Sequence, residues 1–131
     1  MRALPLLVLA LMVAVAAPVA AEPVTISGLV AYREGLRLPP GAETTVRLIE
    51  VAAAGDPGEV VAETTVQDRM APPIPFVLSY DPDAVDEAGA YALEAVITLG
   101  ERILFMSPAP QPLKPPDRSQ QVSLVVGLVR D

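Results

Sequence analysis

The chain has 131 residues, a formal net charge of −7 at pH 7 and no histidine, cysteine or tryptophan. These absences exclude Ser-His-Asp and Cys-His nucleophilic sites, zinc sites built on imidazole or thiolate, and a histidine proton shuttle. The nine lysines and arginines are scattered singly, so nucleic acid and anionic lipid, which attract clustered positive charge, are unsuitable partners.

The first 21 residues have the pattern of an export signal. Arg2 supplies a positive charge, residues 4–17 form a nearly unbroken apolar run, and residues 19–21 place small side chains before a cleavage site. The run is shorter than the roughly 20 apolar residues of a membrane anchor. We predict that residues 1–21 are a cleaved signal peptide. Residues 22–131 then form a single periplasmic domain that carries no cysteine for a lipid and does not insert into the membrane.

Apolar and polar residues alternate with a period of two along the remaining chain, which indicates an all-β fold. The first predicted strand lies within residues 22–34, and residues 38–43, with the sequence LPPGAE, predict a turn in which Gly41 adopts a positive φ. The residues on one face of that first strand are Val24, Ile26, Gly28, Val30 and Tyr32.

Residues 44–67 predict a hairpin with a turn at residues 55–59, GDPGE. Val46 and Leu48 share one face of its first strand, whereas Ile49 and Val51 fall on the other. Either a bulge shifts the phase at this point or both faces of the strand are covered.

Residues 72–85, PPIPFVLSYDPDAV, predict one strand with a proline-rich approach and a turn at its end. Pro75 has no N–H to donate to a ladder, so we place this strand at a sheet edge. The residues that share its apolar face are Ile74, Phe76, Leu78 and Tyr80.

The turn after this strand concentrates four carboxylates. Asp81, Asp83, Asp86 and Glu87 would suit a calcium site or an acid–base pair, but the Asp-x-Asp-x-Asp-Gly pattern of an EF-hand is absent. The interpretation we favour is that Asp81 and Asp86 cap turns through hydrogen bonds from their side chains to the backbone. We therefore predict no catalytic residue, no metal site and no cofactor.

Residues 91–106 predict a second hairpin, with a tight turn at Gly100. Tyr91 follows a run typical of the tyrosine corner of immunoglobulin strands, so we expect a buried ring whose hydroxyl is hydrogen-bonded to a corner of the backbone. The five prolines of residues 107–117 predict a stiff connector, and residues 120–130 a last strand. About seven strands in all predict a two-sheet antiparallel β-sandwich of immunoglobulin-like or transthyretin-like kind.

Four stretches, residues 28–42, 74–85, 91–97 and 102–105, together resemble the YbaY/YscW family of small envelope proteins. The pattern of that family is a tyrosine followed by Leu-Pro-Pro-Gly-Ala, then Ile-Pro-Phe, then Tyr-Asp-Pro. The positions that match it, which we interpret as structural, are Gly28, Tyr32, Leu38, Pro39, Pro40, Gly41, Ile74, Pro75, Phe76, Tyr80, Asp81 and Tyr91.

The resemblance implies a β-sandwich and, in the YscW branch, a pilotin that escorts the secretin ring protein of a type III secretion system to the outer membrane. The function we favour is therefore non-enzymatic: binding or chaperoning an envelope protein, such as an outer-membrane secretin, along a sheet edge or in a groove. The alternative is a module that binds a glycan or another small ligand. That alternative requires Tyr32 and Tyr80 to lie exposed side by side.

Overall fold

The computed structural model describes residues 22–52, 57–67, 71–86, 88–113 and 121–129. The predicted signal peptide and residues 114–117 of the predicted connector lie outside the described residues. Within the described part, nine strands form two sheets.

The smaller sheet has three strands, in the order β4-β1-β8. The larger sheet has the order β3-β2-β5-β6-β9, and β7 pairs with β5 beside β6. A single turn of 3₁₀-helix, Pro82–Ala84, follows β4. The strands are β1 (Val24–Ala31), β2 (Glu43–Val51), β3 (Pro57–Val66), β4 (Ile74–Tyr80), β5 (Tyr91–Leu99), β6 (Arg102–Met106), β7 (Gln111–Leu113), β8 (Gln121–Val125) and β9 (Gly127–Leu128).

The predicted all-β sandwich is confirmed, and its strand count rises from about seven to nine. One added strand, β7, lies inside the predicted proline-rich connector. The other arises because the last predicted strand divides at Val126, whose N–H donates to the carbonyl of Ala31. The chain then leaves the smaller sheet and pairs with β6 of the larger sheet as β9.

The pairing of β1 with β8 is parallel, which corrects the expectation of wholly antiparallel sheets. Parallel neighbours need a crossover connection. Between β1 and β8 the chain builds β4 of the smaller sheet and the larger-sheet strands other than β9, so it returns to β1 by such a crossover.

The core lies between the two sheets, and β4 shows how alternation builds it. Ile74, Phe76, Leu78 and Tyr80 are buried, whereas the residues between them are exposed. β4 is an edge strand of the smaller sheet, as Pro75 predicts.

Of the two explanations for the change of phase in β2, coverage of both faces holds, because the bulge beside this strand lies in β3. The pairing of β2 with β3 shifts register between Leu48 and Ile49, because Leu48 pairs with Ala62 and Ile49 with Val60. Val61 is thus an extra residue of the kind found in a β-bulge. Ile49 is only 2% exposed although it lies on the outer face, opposite the core.

Two of the predicted turns form. Of the turn predicted at residues 55–59, residues 55 and 56 lie outside the described residues, and residues 57–59 belong to β3. Gly41 has a φ of 88° in the turn before β2, and Gly100 has a φ of 59° in the turn between β5 and β6. Both values lie in the left-handed region that glycine adopts without steric cost.

Candidate functional site

The positions of the family pattern lie mainly in the interior. Pro39, Pro40 and Gly41 form the turn before β2, and Pro75 is exposed on β4. The aromatic and aliphatic members contribute to the core between the sheets; they are Tyr32, Leu38, Ile74, Phe76, Tyr80 and Tyr91.

Tyr32 belongs to a small aromatic cluster at the end of β1. Its ring stacks on that of Phe105, with centroids 4.2 Å apart and an interplanar angle of 21°. Its hydroxyl donates a hydrogen bond to the carbonyl of Leu36. Burial of the hydroxyl, together with the nearby negative charge of Glu34, raises the pKa of Tyr32, so the group remains a neutral donor.

Tyr91 has the environment of a tyrosine corner. The ring is 5% exposed, and the hydroxyl accepts a hydrogen bond of 2.7 Å from the backbone N–H of Asp86. The hydroxyl therefore ties the start of β5 to the loop before it.

Gly28 allows the strands of the smaller sheet to approach closely. A Cβ at this position would collide with the carbonyl oxygen of Val122 in β8 and would lie 2.9 Å from the ring of Phe76 in β4. A side chain here would force the strands of the smaller sheet apart. This position therefore requires glycine.

The carboxylates after β4 act as turn caps. Asp81 accepts a hydrogen bond of 2.9 Å from the N–H of Asp83, and Asp86 accepts one of 3.0 Å from the N–H of Ala88. Glu87 lies outside the described residues. Among the residues that are described, no group of three or more acidic side chains is arranged to hold a metal ion. The two hydrogen bonds confirm that Asp81 and Asp86 cap turns.

The aromatic surface that the glycan alternative requires is not formed. Tyr32 is 6% exposed and Tyr80 is 3% exposed, and both rings contribute to the core. The requirement of the glycan alternative that both tyrosines be exposed is therefore not met.

An apolar pocket of about 240 Å³ opens on the outer face of the larger sheet. Its floor is the paired residues Ile49 of β2 and Ala92 of β5, both almost fully buried. Pro112 of β7 lies opposite Ala92 on the other side of β5 and forms part of the wall. The lining residues are Ile49, Val51, Ala90, Tyr91, Ala92, Pro110 and Pro112.

Sequence reasoning missed this pocket, although two signals of it were present. The apolar phase of β2 changes at Ile49, and prolines recur at every second position from residue 108 to residue 112. Pairing of β7 with β5 brings Pro110 and Pro112 beside the surface that the change of phase left apolar.

A second candidate surface is the outer face of the smaller sheet. The strand register places only uncharged residues on this face of β1, β4 and β8 within the described bounds. Leu29, Val77 and Val125 are between 41% and 59% exposed on it.

In the part of the chain that the structure covers, we find no helix with the length and apolar character of a membrane span.

Comparison with known proteins identifies the family. Residues 21–126 match the model of the family described as "Type III secretion system lipoprotein chaperone (YscW)". The "Uncharacterized lipoprotein YbaY" of Escherichia coli strain K12 is 34% identical over 89 residues, which are 67% of this chain and 47% of YbaY. The chain thus spans about half the length of that curated relative.

A solved structure agrees with this assignment. An alternative pilotin from the type II secretion system of Vibrio cholerae superposes with a TM-score of 0.75 at 28% identity, covering 84% of this chain and 100% of the pilotin chain. The family and this neighbour are of secretion-chaperone type and not of an enzyme class. This chain belongs to the YscW family of lipoprotein chaperones.

Proposed function

We propose that this protein is a non-enzymatic periplasmic chaperone that binds an apolar segment of another envelope protein in the pocket on the larger sheet. An outer-membrane secretin is the class of partner that the pilotin neighbour suggests. The observation that carries the proposal is the pocket itself, which presents carbon side chains to solvent on an otherwise acidic protein.

The pocket is suited to an aliphatic side chain from a partner. Its floor residues, Ile49 and Ala92, are each 2% exposed, so the concavity exists before any partner arrives. Placing a leucine-sized side chain in such an apolar site is worth about 1.5–3 kcal/mol, which corresponds to roughly ten- to hundredfold in affinity. A contact of this size can anchor a transient chaperone complex.

The test is photo-crosslinking in the native host, with the photoreactive residue placed at Pro110 or Pro112 in the pocket wall. Glu101, in the exposed turn between β5 and β6, is the control site. We expect an outer-membrane protein to be captured from the wall and not from the control. Capture from Pro75 alone would place the partner on the β4 edge, and capture from none of these sites would contradict partner binding.

A matched pair of variants connects the capture to the pocket. Val51→Arg places a charge at the pocket, whereas Val77→Arg makes the same change on the outer face of the smaller sheet. We expect Val51→Arg to reduce capture at least about tenfold, because a buried unpaired charge opposes the apolar contact. Equal capture by both variants would exclude the pocket.

A further inference from the structure

We propose that the outer face of the smaller sheet is the surface through which two copies of this chain form a weak dimer with antiparallel strands. The inference is independent of the proposed partner, because this face and the pocket lie on opposite sides of the sandwich. Three observations carry it: the face is uncharged, apolar side chains lie at its centre, and opposite charges lie at its two ends.

The uncharged surface extends over all three strands of the smaller sheet, and most of its residues are exposed. A two-fold axis brings the residues near it against their own copies, so a charged residue there would face a like charge. This face meets its own copy without that repulsion. Its residues are Thr25, Ser27, Leu29 and Ala31 of β1, Pro75, Val77 and Ser79 of β4, and Gln121, Ser123 and Val125 of β8.

The outer face of the larger sheet does not suit such a self-contact. Glu63, Arg47 and Glu94 form one row across it, so this row carries two carboxylates and one guanidinium. The whole chain has a formal net charge of −7, and most contacts between two copies would therefore bring carboxylates together. The charge distribution of the described strands thus favours the smaller sheet as the meeting surface.

Apolar side chains occupy the middle of the uncharged face. Leu29 is 41% exposed on the central strand, and Val77 is 59% exposed on β4. The register places Leu29 beside Pro75 and Val77 beside Ser27, so Leu29 and Val77 lie in adjacent rows. A second face packs about 10 Å away. With antiparallel strands and the two-fold axis between these rows, Val77 of each copy lies over the Leu29 row of the other.

Opposite charges at the two ends of the face select the antiparallel arrangement. Alternation continues past Ser79 to Asp81 at one end and past Ala31 to Arg33 at the other, and both charged residues are exposed. Among the described residues neither has an ion pair. The same two-fold axis places Arg33 of each copy near Asp81 of the other. Parallel strands would instead place like charges opposite each other at both ends.

The size of the face predicts that the dimer is weak. Three strands about 4.8 Å apart, the longest of eight residues that each rise about 3.3 Å, give a face of roughly 14 Å by 26 Å. Two such faces bury less than the roughly 1,200 Å² of a standard stable interface. We therefore expect monomers in dilute solution and dimers at high concentration.

Sedimentation velocity measures the dimer with the protein purified from the envelope of the expressing host. Concentrations from about 10 μM to about 1 mM cover the range of weak complexes, and we expect a shift from monomer towards dimer across it. Val77→Arg places two guanidinium groups beside the two-fold axis and should weaken the dimer at least about tenfold. Val60→Arg is the control, because Val60 is 52% exposed on the outer face of the larger sheet.

Variants of the end charges test the antiparallel arrangement. Asp81→Asn removes the charge and keeps a side-chain oxygen that caps the turn. We expect a dimer about two- to thirtyfold weaker, because two exposed ion pairs are lost. Arg33→Asp should also weaken the dimer, whereas Arg33→Asp combined with Asp81→Arg should restore it. Far-UV circular dichroism verifies that each variant is folded.

A parent protein that stays monomeric at the highest concentration would overturn the inference. Equal dimerisation of Val77→Arg and Val60→Arg would exclude this face as the contact. Tighter dimerisation of Asp81→Asn would mean that like charges oppose each other and would overturn the antiparallel arrangement. None of these failures bears on the proposed function, because capture of a partner from Pro110 does not require the dimer.

Discussion

Gly28 lies at the point where β1 approaches both of its neighbours in the smaller sheet. The carbonyl of Val122 and the ring of Phe76 occupy the space in which any other residue would place its Cβ. The alternation of residues 22–34 indicates that this position faces the core. It does not reveal the close approach, because β8 is distant in sequence and its parallel pairing leaves no local signal.

Gly28→Ala is expected to lower the free energy of unfolding by about 2–3 kcal/mol, since the added methyl group overpacks a rigid site. The midpoint of urea denaturation measures the loss. The control is Gly35→Ala, where a Cβ would meet no atom within 4 Å. If the two variants unfold at the same urea concentration, the close approach at Gly28 does not constrain the fold.

Substitution of Tyr91 is expected to destabilise the fold less than substitution of Gly28. Tyr91→Phe leaves the N–H of Asp86 without its partner, at a cost of about 0.5–1.5 kcal/mol in the free energy of unfolding. Thermal unfolding is the measurement. An unchanged midpoint would mean that water replaces the hydroxyl and that the loop before β5 is not held by it.

Tyr32 makes the stability of the protein depend on pH in the alkaline range. Its folded-state pKa is raised above the unfolded value, mainly by burial. The unfolded chain therefore loses the hydroxyl proton at a lower pH than the folded chain does. The contribution of Tyr32 to the free energy of unfolding is complete below about pH 10. It is lost as the pH rises through the higher folded-state pKa. We expect Tyr32→Phe to unfold with a weaker pH dependence than the parent above about pH 10, and parallel curves would contradict this.

At the scale of elements, β4 and the β5–β6 hairpin could be predicted from the sequence, whereas β7 could not. The alternation of residues 74–80 corresponds residue by residue to burial in the structure, and Pro75 indicates the edge. β7 contains Pro112 and only three residues. Its pairing depends on the position of β5 in space, so a local pattern of prolines predicts a connector instead. The pocket was missed for the same reason.

Leu113 is the residue of β7 whose side chain packs into the core. It is 9% exposed and pairs with Tyr91, which brings Pro112 beside Ala92. Leu113→Ala should cost about 2 kcal/mol, the low end for a buried leucine, and should loosen the pocket wall. We expect faster amide exchange at Tyr91 and Leu93, which face β7. Leu36→Ala, at a leucine that is 54% exposed, is the control. Unaltered exchange at both amides would show that β7 is held by other contacts.

The whole molecule is predicted to act without its first 21 residues and without a lipid. Residues 19–21 place small side chains before the predicted cleavage site, and the chain has no cysteine to carry an acyl group. Intact mass spectrometry of the protein from the host envelope should give a chain that starts at Glu22 with no added acyl group. A mass that includes residues 1–21 would instead show a retained anchor.

At Val126 the chain passes from the smaller sheet to the larger one, and this determines when each sheet can be completed during folding. β1, at one end of the domain, finds its parallel partner β8 only near the other end, and β9 then joins the second sheet. Contacts between such distant segments form late, because the intervening chain must first be ordered. A chain that emerges N-terminus first cannot complete either sheet before β8 and β9 have emerged. The fold therefore closes only when the last strands of the chain are available to both sheets.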